Sequence, residues 1–258
     1  MTMSLPLIEM TGASVPARER RGEAVLEAVT WMVRAGERWI VCGPQASGKS
    51  NLLLTAAGLL RPLKGSHRLF GRDPAHLNEE ELVRDRLRVG FVFGNDGRLF
   101  HQMTVSENVA FPLCYHKNCR GAEVGERVQA VLEATGLKAH AASRPGSLNR
   151  SIRLKVGLAR ALVLDPELIL LDEPLNGEGP RETAWWLGFL ERLQAGRVVP
   201  GGRPVSVVVS ANDVRPWVGD HGGKVALVYQ RQFRHVCESA DLGPKAEALM
   251  EEWFTDGK

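Results

Sequence analysis

The chain has 258 residues, of which 44% are hydrophobic, and its 33 lysines and arginines nearly balance its 30 aspartates and glutamates. The net charge of +3 excludes the strongly basic surface typical of nucleic-acid-binding proteins, and the longest apolar stretch, residues 52–60, is shorter than the roughly 20 residues of a membrane span. No secretory signal is visible, and the four cysteines are too scattered for a disulfide framework or a zinc site, which predicts a cytosolic protein with reduced thiols.

Strand and helix patterns alternate along the chain. Short β-branched runs predict buried strands at 39–42, 89–93, 168–171, 205–209 and 225–229. Helical periodicity lies between them, at 50–60, at 122–135 with Gly136 as a cap, and at 181–195. A capping box at Thr104 and Glu107 predicts a further helix start. This alternation predicts an α/β protein with a largely parallel central sheet, and the mostly helical segment 94–162 predicts a separate lobe.

A P-loop pattern, G-x-x-x-x-G-K-[ST], follows the strand predicted at 39–42 and precedes a predicted helix. It consists of Gly43, Pro44, Gln45, Ala46, Ser47, Gly48, Lys49 and Ser50. Its glycines allow backbone N–H groups to surround a β-phosphate, and the helix N-terminus adds a favourable dipole. The pattern predicts that Lys49 reaches the β- and γ-phosphates of ATP and that the hydroxyl of Ser50 binds Mg²⁺.

A second motif is the apolar strand predicted at 168–171, which ends in Asp172, Glu173 and Pro174. Asp172 is predicted to hold Mg²⁺, and Glu173 is predicted to be the general base that polarises the attacking water. This motif is weak alone. Together with the P-loop, it predicts a site that binds and hydrolyses ATP.

With both motifs present, the sequence resembles the ATP-binding subunits of ABC transporters over nearly the whole chain. The similarity includes a leading strand at 25–29, the segment 158–162, and the link 164–167 into the acidic strand. The resemblance implies one ABC-type nucleotide-binding domain over residues 1–258, with a RecA-like P-loop NTPase core, a helical subdomain at 94–162 and a C-terminal tail at 231–258. It also implies a second ATPase subunit, identical or different, an integral membrane permease as partner, and a location on the cytoplasmic face of the inner membrane.

Several positions depart from the family pattern, and they concern γ-phosphate sensing more than Mg-ATP binding. The glutamine that normally follows the strand at 89–93 is Gly94, and the switch histidine aligns with Asn212, which can hydrogen-bond a phosphate oxygen but carries no charge. Loss of one positioned catalytic group costs about 10² to 10⁴ in rate. The sequence therefore predicts ATP binding with reduced hydrolysis, and predicts that Gly94→Gln together with Asn212→His raises turnover.

Other departures lie in the segments that contact nucleotide in the family. The signature Leu-Ser-Gly-Gly-Gln aligns with residues 148–152, where Asn149 can still cap a helix and Arg150 can still attract phosphate charge. The D-loop at 176–179 lacks its aspartate. No aromatic residue is available to stack on adenine before the strand at 25–29, and the arginines there, which fit a solvated basic turn better than a stacking site, are Arg18, Arg20 and Arg21.

The segment 97–113 bears on the branch of the family. It looks like the corresponding stretch of the ATPase in Mla-type transporters, which work with MCE-domain proteins and move lipids between bacterial membranes. The ending at 253–257 is also similar to that group. Methionine importers and lipoprotein-release ATPases share part of 97–113, so an ABC ATPase of the importer or lipoprotein-release type is an alternative. The alternative is that this segment simply contributes core residues to the helical lobe: Phe100, Val105, Val109 and Phe111.

Three functions stay open at this point. The first is the ATP-binding subunit of a lipid-handling ABC transporter. The second is a regulatory nucleotide-binding subunit paired with an active ATPase, which Gly94, Asn212 and the altered signature favour and the intact Glu173 opposes. The third, an ABC-type protein acting on DNA or ribosomes, is opposed by the near-neutral charge and by the lack of a long coiled-coil insertion.

Overall fold

The computed structural model of the chain describes residues 5–20, 22–94, 96–116, 121–198, 202–217, 223–238 and 241. It divides into two compact units, the P-loop unit (Met1–Arg86 with Ser206–Lys258) and the central unit (Leu87–Val205). The strands are β1 (Ile8–Pro16), β2 (Ala24–Val33), β3 (Arg38–Cys42), β4 (Ser66–Leu69), β5 (Val89–Val92), β6 (Leu168–Leu171), β7 (Ser206–Ala211), β8 (Lys224–Tyr229) and β9 (Gln232–Glu238). The α-helices are α1 (Lys49–Ala56), α2 (Glu79–Arg86), α3 (Val105–His116), α4 (Ala122–Ala134), α5 (Arg150–Leu162) and α6 (Pro180–Gln194).

The P-loop unit contains two sets of paired strands. In one set, β1 pairs antiparallel with both β2 and β4. In the other, β3 lies between the parallel strands β7 and β8, and β9 pairs antiparallel with β8. Every residue of β3 and β7 is buried, as expected for parallel strands covered on both faces. The carboxyl ends of β3, β7 and β8 therefore meet at one edge, where the P-loop begins.

The central unit combines the parallel pair β5 and β6 with most of the helices. The predicted capping box is confirmed, because the Thr104 amide donates to Glu107 Oε2 over 2.7 Å and the Glu107 amide donates to Thr104 Oγ1 over 3.2 Å. The predicted cap at Asn149 is also confirmed, since its Oδ1 accepts from the Ile152 amide over 2.9 Å. Local capping chemistry thus fixes where α3 and α5 begin.

The predicted strands are all present, and the predicted helices are present with one shortened. The helix predicted at 50–60 ends at Ala56, because Gly58 adopts φ of 69° and the amides of Leu59 and Leu60 both turn back to the carbonyl of Leu54. The predicted helical subdomain at 94–162 lies within the central unit, and its status as a separate subdomain stays a prediction. Arg21, most of the predicted tail beyond β9, and its ending at 253–257 lie outside the described residues.

Within the described residues, no helix has the length and apolarity needed to cross a membrane.

Candidate nucleotide-binding site

The P-loop leaves the sheet where β3 ends. Cys42 lies opposite Ala211 of β7, and the amide of Gly43 donates to the carbonyl of Ala211 over 3.2 Å. A Cβ atom on Gly43 would lie 2.2 Å from the carbonyl oxygen of Val228. Only glycine therefore allows the chain to pass this point, which explains the first glycine of the motif in structural terms.

The loop reverses direction through two residues with left-handed backbone conformation. Ala46 has φ of 62°, and Gly48 has φ of 104° at the N-cap position of α1. Conformations of this kind aim successive backbone N–H groups at one point, as in phosphate-binding loops. The hydroxyl of Ser47 is buried and has no hydrogen-bond partner within the described part of the chain. A phosphate oxygen would satisfy this hydroxyl, so the polar groups of the loop fit a nucleotide phosphate.

Lys49 is buried at the base of the loop, with only 2% of its surface exposed. Its Nζ donates to the carbonyl oxygens of Gly43 over 2.9 Å and Pro44 over 2.7 Å, and to Oδ1 of Asn212 over 2.7 Å. Asn212 directly follows β7, the parallel neighbour of β3. The structure thus joins two residues that the sequence assigned separately to the P-loop and to the switch position.

The contact with Lys49 determines the orientation of the Asn212 amide. Because Oδ1 accepts from the ammonium group, the other polar atom of the amide is the Nδ2 donor, which has the polarity that a phosphate oxygen requires. The neighbouring carboxylate, Asp213, is paired with Arg215, whose Nη2 donates to it over 2.6 Å. The side-chain hydrogen bond from Arg215 is the main cause that lowers the pKa of Asp213. The charge of Asp213 is therefore balanced locally.

Cys42, the last residue of β3, lies immediately before the loop. Burial raises the pKa of its thiol, and the opposite effect of the nearby Lys49 charge is smaller. The thiol is therefore neutral, and the polar chemistry of this edge comes from nitrogen and oxygen groups.

The acidic motif lies at the end of β6 in the central unit. The amide of Asp172 donates to the carbonyl of Val92 over 2.9 Å, which continues the pairing of β6 with β5. Glu173 has φ of 49°, an uncommon conformation for a residue with a long side chain. Its carboxylate Oε2 accepts a hydrogen bond from Nδ2 of Asn176 over 3.2 Å. Asp172 and Glu173 are both only partly buried.

Gly94 lies close to the backbone of the acidic motif. A Cβ atom at this position would lie 2.4 Å from the carbonyl oxygen of Asp172. Such a distance is far below van der Waals contact, so this backbone accommodates only glycine at residue 94. The glutamine of the family pattern is therefore excluded here by the path of the chain as well as by the sequence.

Comparison with known protein families gives a match over the segment that contains both motifs. The profile of the ABC transporter family matches residues 26–176, which include the P-loop and the acidic strand. The chain belongs to the ABC transporter family. The described fold agrees with this membership: the chain superposes on cbiO1 of Clostridium perfringens, part of an ABC transporter complex, with a TM-score of 0.77 at 20% identity over 96% of this chain and 93% of that one. It also superposes on MJ0796, a bacterial ABC transporter cassette, with a TM-score of 0.76 at 25% identity over 89% of this chain and 98% of that one.

The names of the relatives within the ABC family mention different transported molecules. The "Probable ribonucleotide transport ATP-binding protein mkl" of Mycobacterium leprae is 40% identical over 62% of this chain, but the match spans only 46% of that protein's length. The phospholipid transport protein MlaF of Haemophilus influenzae is 34% identical over 67% of this chain and 66% of its own length. The lipoprotein-releasing protein LolD of Chromohalobacter salexigens is 40% identical over 66% of this chain and 72% of its own. The predicted resemblance is confirmed, with an Mla-type protein among the relatives.

Arg150 lies in the segment 148–152, which the sequence aligns with the family signature. The sequence suggested that Arg150 attracts phosphate charge. In the structure its guanidinium instead forms an ion pair with Glu178 over 2.9 Å, and the side chain of Glu178 is only 5% exposed. Its charge is therefore partly compensated within the chain, and attraction of phosphate charge by Arg150 stays a prediction.

The segment 97–113 is partly core and partly surface. Val105 and Val109 are fully buried, as the packing interpretation predicts, but Phe100 is 44% exposed. The ring of Phe100 packs against Phe111 at 4.8 Å between centroids, and Phe111 stacks on the exposed Tyr115 at 5.7 Å. The packing interpretation is therefore wrong for Phe100, which lies before α3 and forms an aromatic surface with Phe111 and Tyr115 of that helix.

A buried residue in the same segment was missed at the sequence level. Asn108 is fully buried, its Oδ1 accepts from the Phe100 amide over 2.8 Å, and its Nδ2 donates to the carbonyls of Phe100, Met103 and Thr104. One side chain thus holds the loop that precedes α3. The available signal was an asparagine among the apolar residues that follow the predicted helix start.

The basic turn after β1 is solvated, as the sequence favours. Arg18 and Arg20 are both exposed. Arg20 pairs with Glu23 over 3.4 Å, and both side chains remain largely in solvent. The described residues of this turn therefore fit a solvated basic turn, and Arg21 lies outside them.

Proposed function

We propose that the chain is the ATP-binding subunit of an ABC transporter and binds Mg-ATP through its P-loop. The observation that carries the proposal is the buried Lys49 ammonium, which lies beneath a loop with left-handed turns and contacts the switch-position Asn212. A lysine placed in this way at a helix N-terminus is the phosphate-binding device of P-loop proteins. Phosphate oxygens would replace the loop carbonyls as acceptors for its Nζ.

Ser50 of the loop and three residues outside it complete the proposed chemistry. Ser50 and Asp172 supply hard oxygen donors of the type that Mg²⁺ prefers. When bound, Mg²⁺ neutralises part of the phosphate charge. Glu173 takes a proton from the attacking water while the water oxygen bonds to the γ-phosphorus and the bond from phosphorus to the ADP oxygen breaks. Asn212 donates a neutral hydrogen bond to a phosphate oxygen in place of a histidine.

The proposed cargo is lipid, handled by a transporter of the Mla type. The MlaF relative and the segment 97–113 support this branch, and the exposed aromatic rings of Phe100 and Tyr115 provide a surface suited to a partner protein. The proposed partners are an integral membrane permease, a second ATPase subunit and an MCE-domain protein, and the proposed location is the cytoplasmic face of the inner membrane. Purification of the tagged chain from its own membranes should recover a permease and an MCE-domain protein. Recovery of an importer's or lipoprotein-release permease would contradict the lipid proposal, since LolD and a methionine import protein are also relatives.

A second candidate is a nucleotide-binding subunit with weak hydrolysis that pairs with an active ATPase. The exclusion of a side chain at Gly94 and the internal pairing of Arg150 favour it, because both family positions have lost their usual groups. Native mass spectrometry of the membrane complex distinguishes the candidates. Two copies of this 28.3 kDa chain with no second ATPase would contradict this candidate. The same complex with Glu173→Gln in this chain alone should lose little turnover if the partner does most of the hydrolysis.

The test of the nucleotide site is Lys49→Ala. This change removes the charge beneath the loop and should abolish Mg-ATP binding measured by calorimetry or with a fluorescent ATP analogue. Lys64→Ala provides the control, because Lys64 is an exposed lysine of the same unit. Equal ATP affinity in the two variants would show that the nucleotide binds elsewhere or not at all.

A further inference from the structure

Arg150, at the start of α5, connects three segments of the central unit. Its Nη1 donates to the carbonyl of Asn176 over 2.6 Å and to Oε1 of Glu178 over 2.9 Å, and its Nη2 donates to the carbonyl of Gly94 over 3.3 Å. The planar guanidinium provides several donors in a fixed geometry, which suits acceptors on separate segments. The carboxylate of Glu178 is nearly buried, and this ion pair holds Arg150 in the conformation that reaches the two carbonyls.

Asn176 extends these contacts to Glu173. Its side-chain Nδ2 donates to Oε2 of Glu173 over 3.2 Å, and its backbone amide donates to the carbonyl of Glu173 over 3.2 Å. Asn176 therefore contacts Glu173 through both its side chain and its backbone. Arg150 contacts the same residue through the Asn176 carbonyl.

Glu173 is a residue that needs such support. Its φ of 49° lies in a sparsely populated region for a residue with a Cβ atom, and conformations of this kind persist only where surrounding contacts hold them. A general base must also keep its carboxylate within hydrogen-bond reach of the proton that it accepts. The contacts of Asn176 meet both needs, because they fix the backbone and the carboxylate of Glu173 together.

We propose that Arg150 is a positioning residue for Glu173 that acts through Asn176. This inference rests on the proposed function, in which Glu173 accepts a proton from water. Position 150 aligns with a glycine of the family signature, so the replacement adds a side chain that serves the acidic motif of the same chain. Glu178 orients Arg150, and Gly94 contributes a further acceptor.

The test compares ATP turnover and ATP affinity in full-length variants. Arg150→Ala and Asn176→Ala should each lower kcat about tenfold, since small displacements of a reacting group have effects of about this size or larger. The KM and the Kd for Mg-ATP should change less than about twofold, because neither residue is part of the P-loop. Arg150→Lys should recover part of kcat, as one ammonium can reach some but not all of these acceptors. Arg144→Ala is the matched control, because Arg144 is an exposed arginine that precedes the same helix.

The outcomes separate this inference from the function on which it rests. If the unmodified chain neither binds nor hydrolyses ATP, the proposed function fails. If it hydrolyses ATP and Arg150→Ala keeps the full kcat, or loses kcat only together with ATP affinity, the positioning role is overturned.

Hydrogen exchange gives a readout that does not require turnover. The amide of Asn176 donates to Glu173, so Arg150→Ala should speed its exchange, whereas Arg144→Ala should not. Unchanged exchange of this amide in Arg150→Ala would overturn the connection from Arg150 to Glu173.

Discussion

The contact between Lys49 and Asn212 leads to two predictions for Asn212→Asp: the folded protein should become more stable, and ATP binding should become weaker. Asn212→Asp replaces a neutral acceptor by a carboxylate of nearly the same shape, 2.7 Å from a buried ammonium. At that separation the attraction between unit charges is about 6 kcal/mol for an effective dielectric constant of about 20. Dehydration of the new carboxylate offsets most of this energy. We expect the free energy of unfolding to rise by about 1 to 3 kcal/mol, the usual range for hydrogen bonds between charged groups.

The same change should weaken ATP binding. The carboxylate competes with the phosphates for Lys49, removes the Nδ2 donor, and places a negative charge beside the triphosphate. Like charges in such an arrangement cost several kcal/mol, so the Kd for Mg-ATP should rise about 100-fold or more. Asn212→Ala, in contrast, should lower both stability and affinity, because it removes the acceptor without adding charge.

Thermal unfolding with and without Mg-ATP measures the effects on stability and on ATP affinity in one experiment. Without nucleotide, the melting temperature should be higher for Asn212→Asp than for the unmodified chain, by about 2 to 4 °C per kcal/mol in a protein of this size. With nucleotide, the order should reverse, since ligand stabilisation depends on affinity. A lower melting temperature without nucleotide would refute the ammonium contact. Unchanged ATP affinity would refute the placement of phosphate beside Asn212.

Two other predictions concern stability. Asn108→Ala should lower the free energy of unfolding by about 3 kcal/mol in urea titrations, because it leaves buried groups of the loop before α3 without partners. Burial lowers the pKa of His67 from its ordinary value of 6.5. Below pH 6.5 the unfolded chain therefore binds a proton at this imidazole more readily than the folded protein does. Stability should therefore fall as the pH drops through 6.5, by at most about 1.4 kcal/mol per pH unit from this group, and His67→Gln should make the fall shallower.

The sequence predicts features whose signal is local. The P-loop, the acidic strand and the two helix caps are each specified within a few neighbouring residues, and the buried parallel strands are continuous apolar runs. β4 was missed because three of its four residues, SHRL, are polar. β1 was missed because its apolar residues do not alternate regularly, and it pairs with β2 through shifts in register. α2 was missed because its sequence, EEELVRDR, has only two apolar residues and therefore no clear helical face.

The features of the site that the sequence did not predict depend on contacts between residues far apart in the chain. Lys49 and Asn212 are 163 residues apart, and Arg150 is 56 residues from Gly94 and 26 from Asn176. Motif alignment assigned each of these positions separately, but it carries no information on which of them touch. The structure shows that the altered positions Gly94, Arg150 and Asn176 contact one another or the acidic motif, so they form one connected group.

This connection reverses one expectation from the sequence. Family patterns predict that Gly94→Gln, together with Asn212→His, raises turnover. In the structure any Cβ atom at residue 94 would lie 2.4 Å from the carbonyl oxygen of Asp172 and would displace either segment. Overpacking of this kind typically costs about 1 to 3 kcal/mol, and here it moves the Mg²⁺-binding carboxylate that we propose.

Gly94→Gln should therefore lower both the melting temperature and kcat, and Gly94→Ala should do the same, because the clash arises at Cβ and not at the polar end of the glutamine. Gly146→Ala is a suitable control, since a Cβ atom there meets nothing within 4 Å. A rise in turnover with Gly94→Gln alone would refute this reasoning. It would mean that the backbone at Asp172 shifts at little cost, so that the close approach does not require glycine at residue 94.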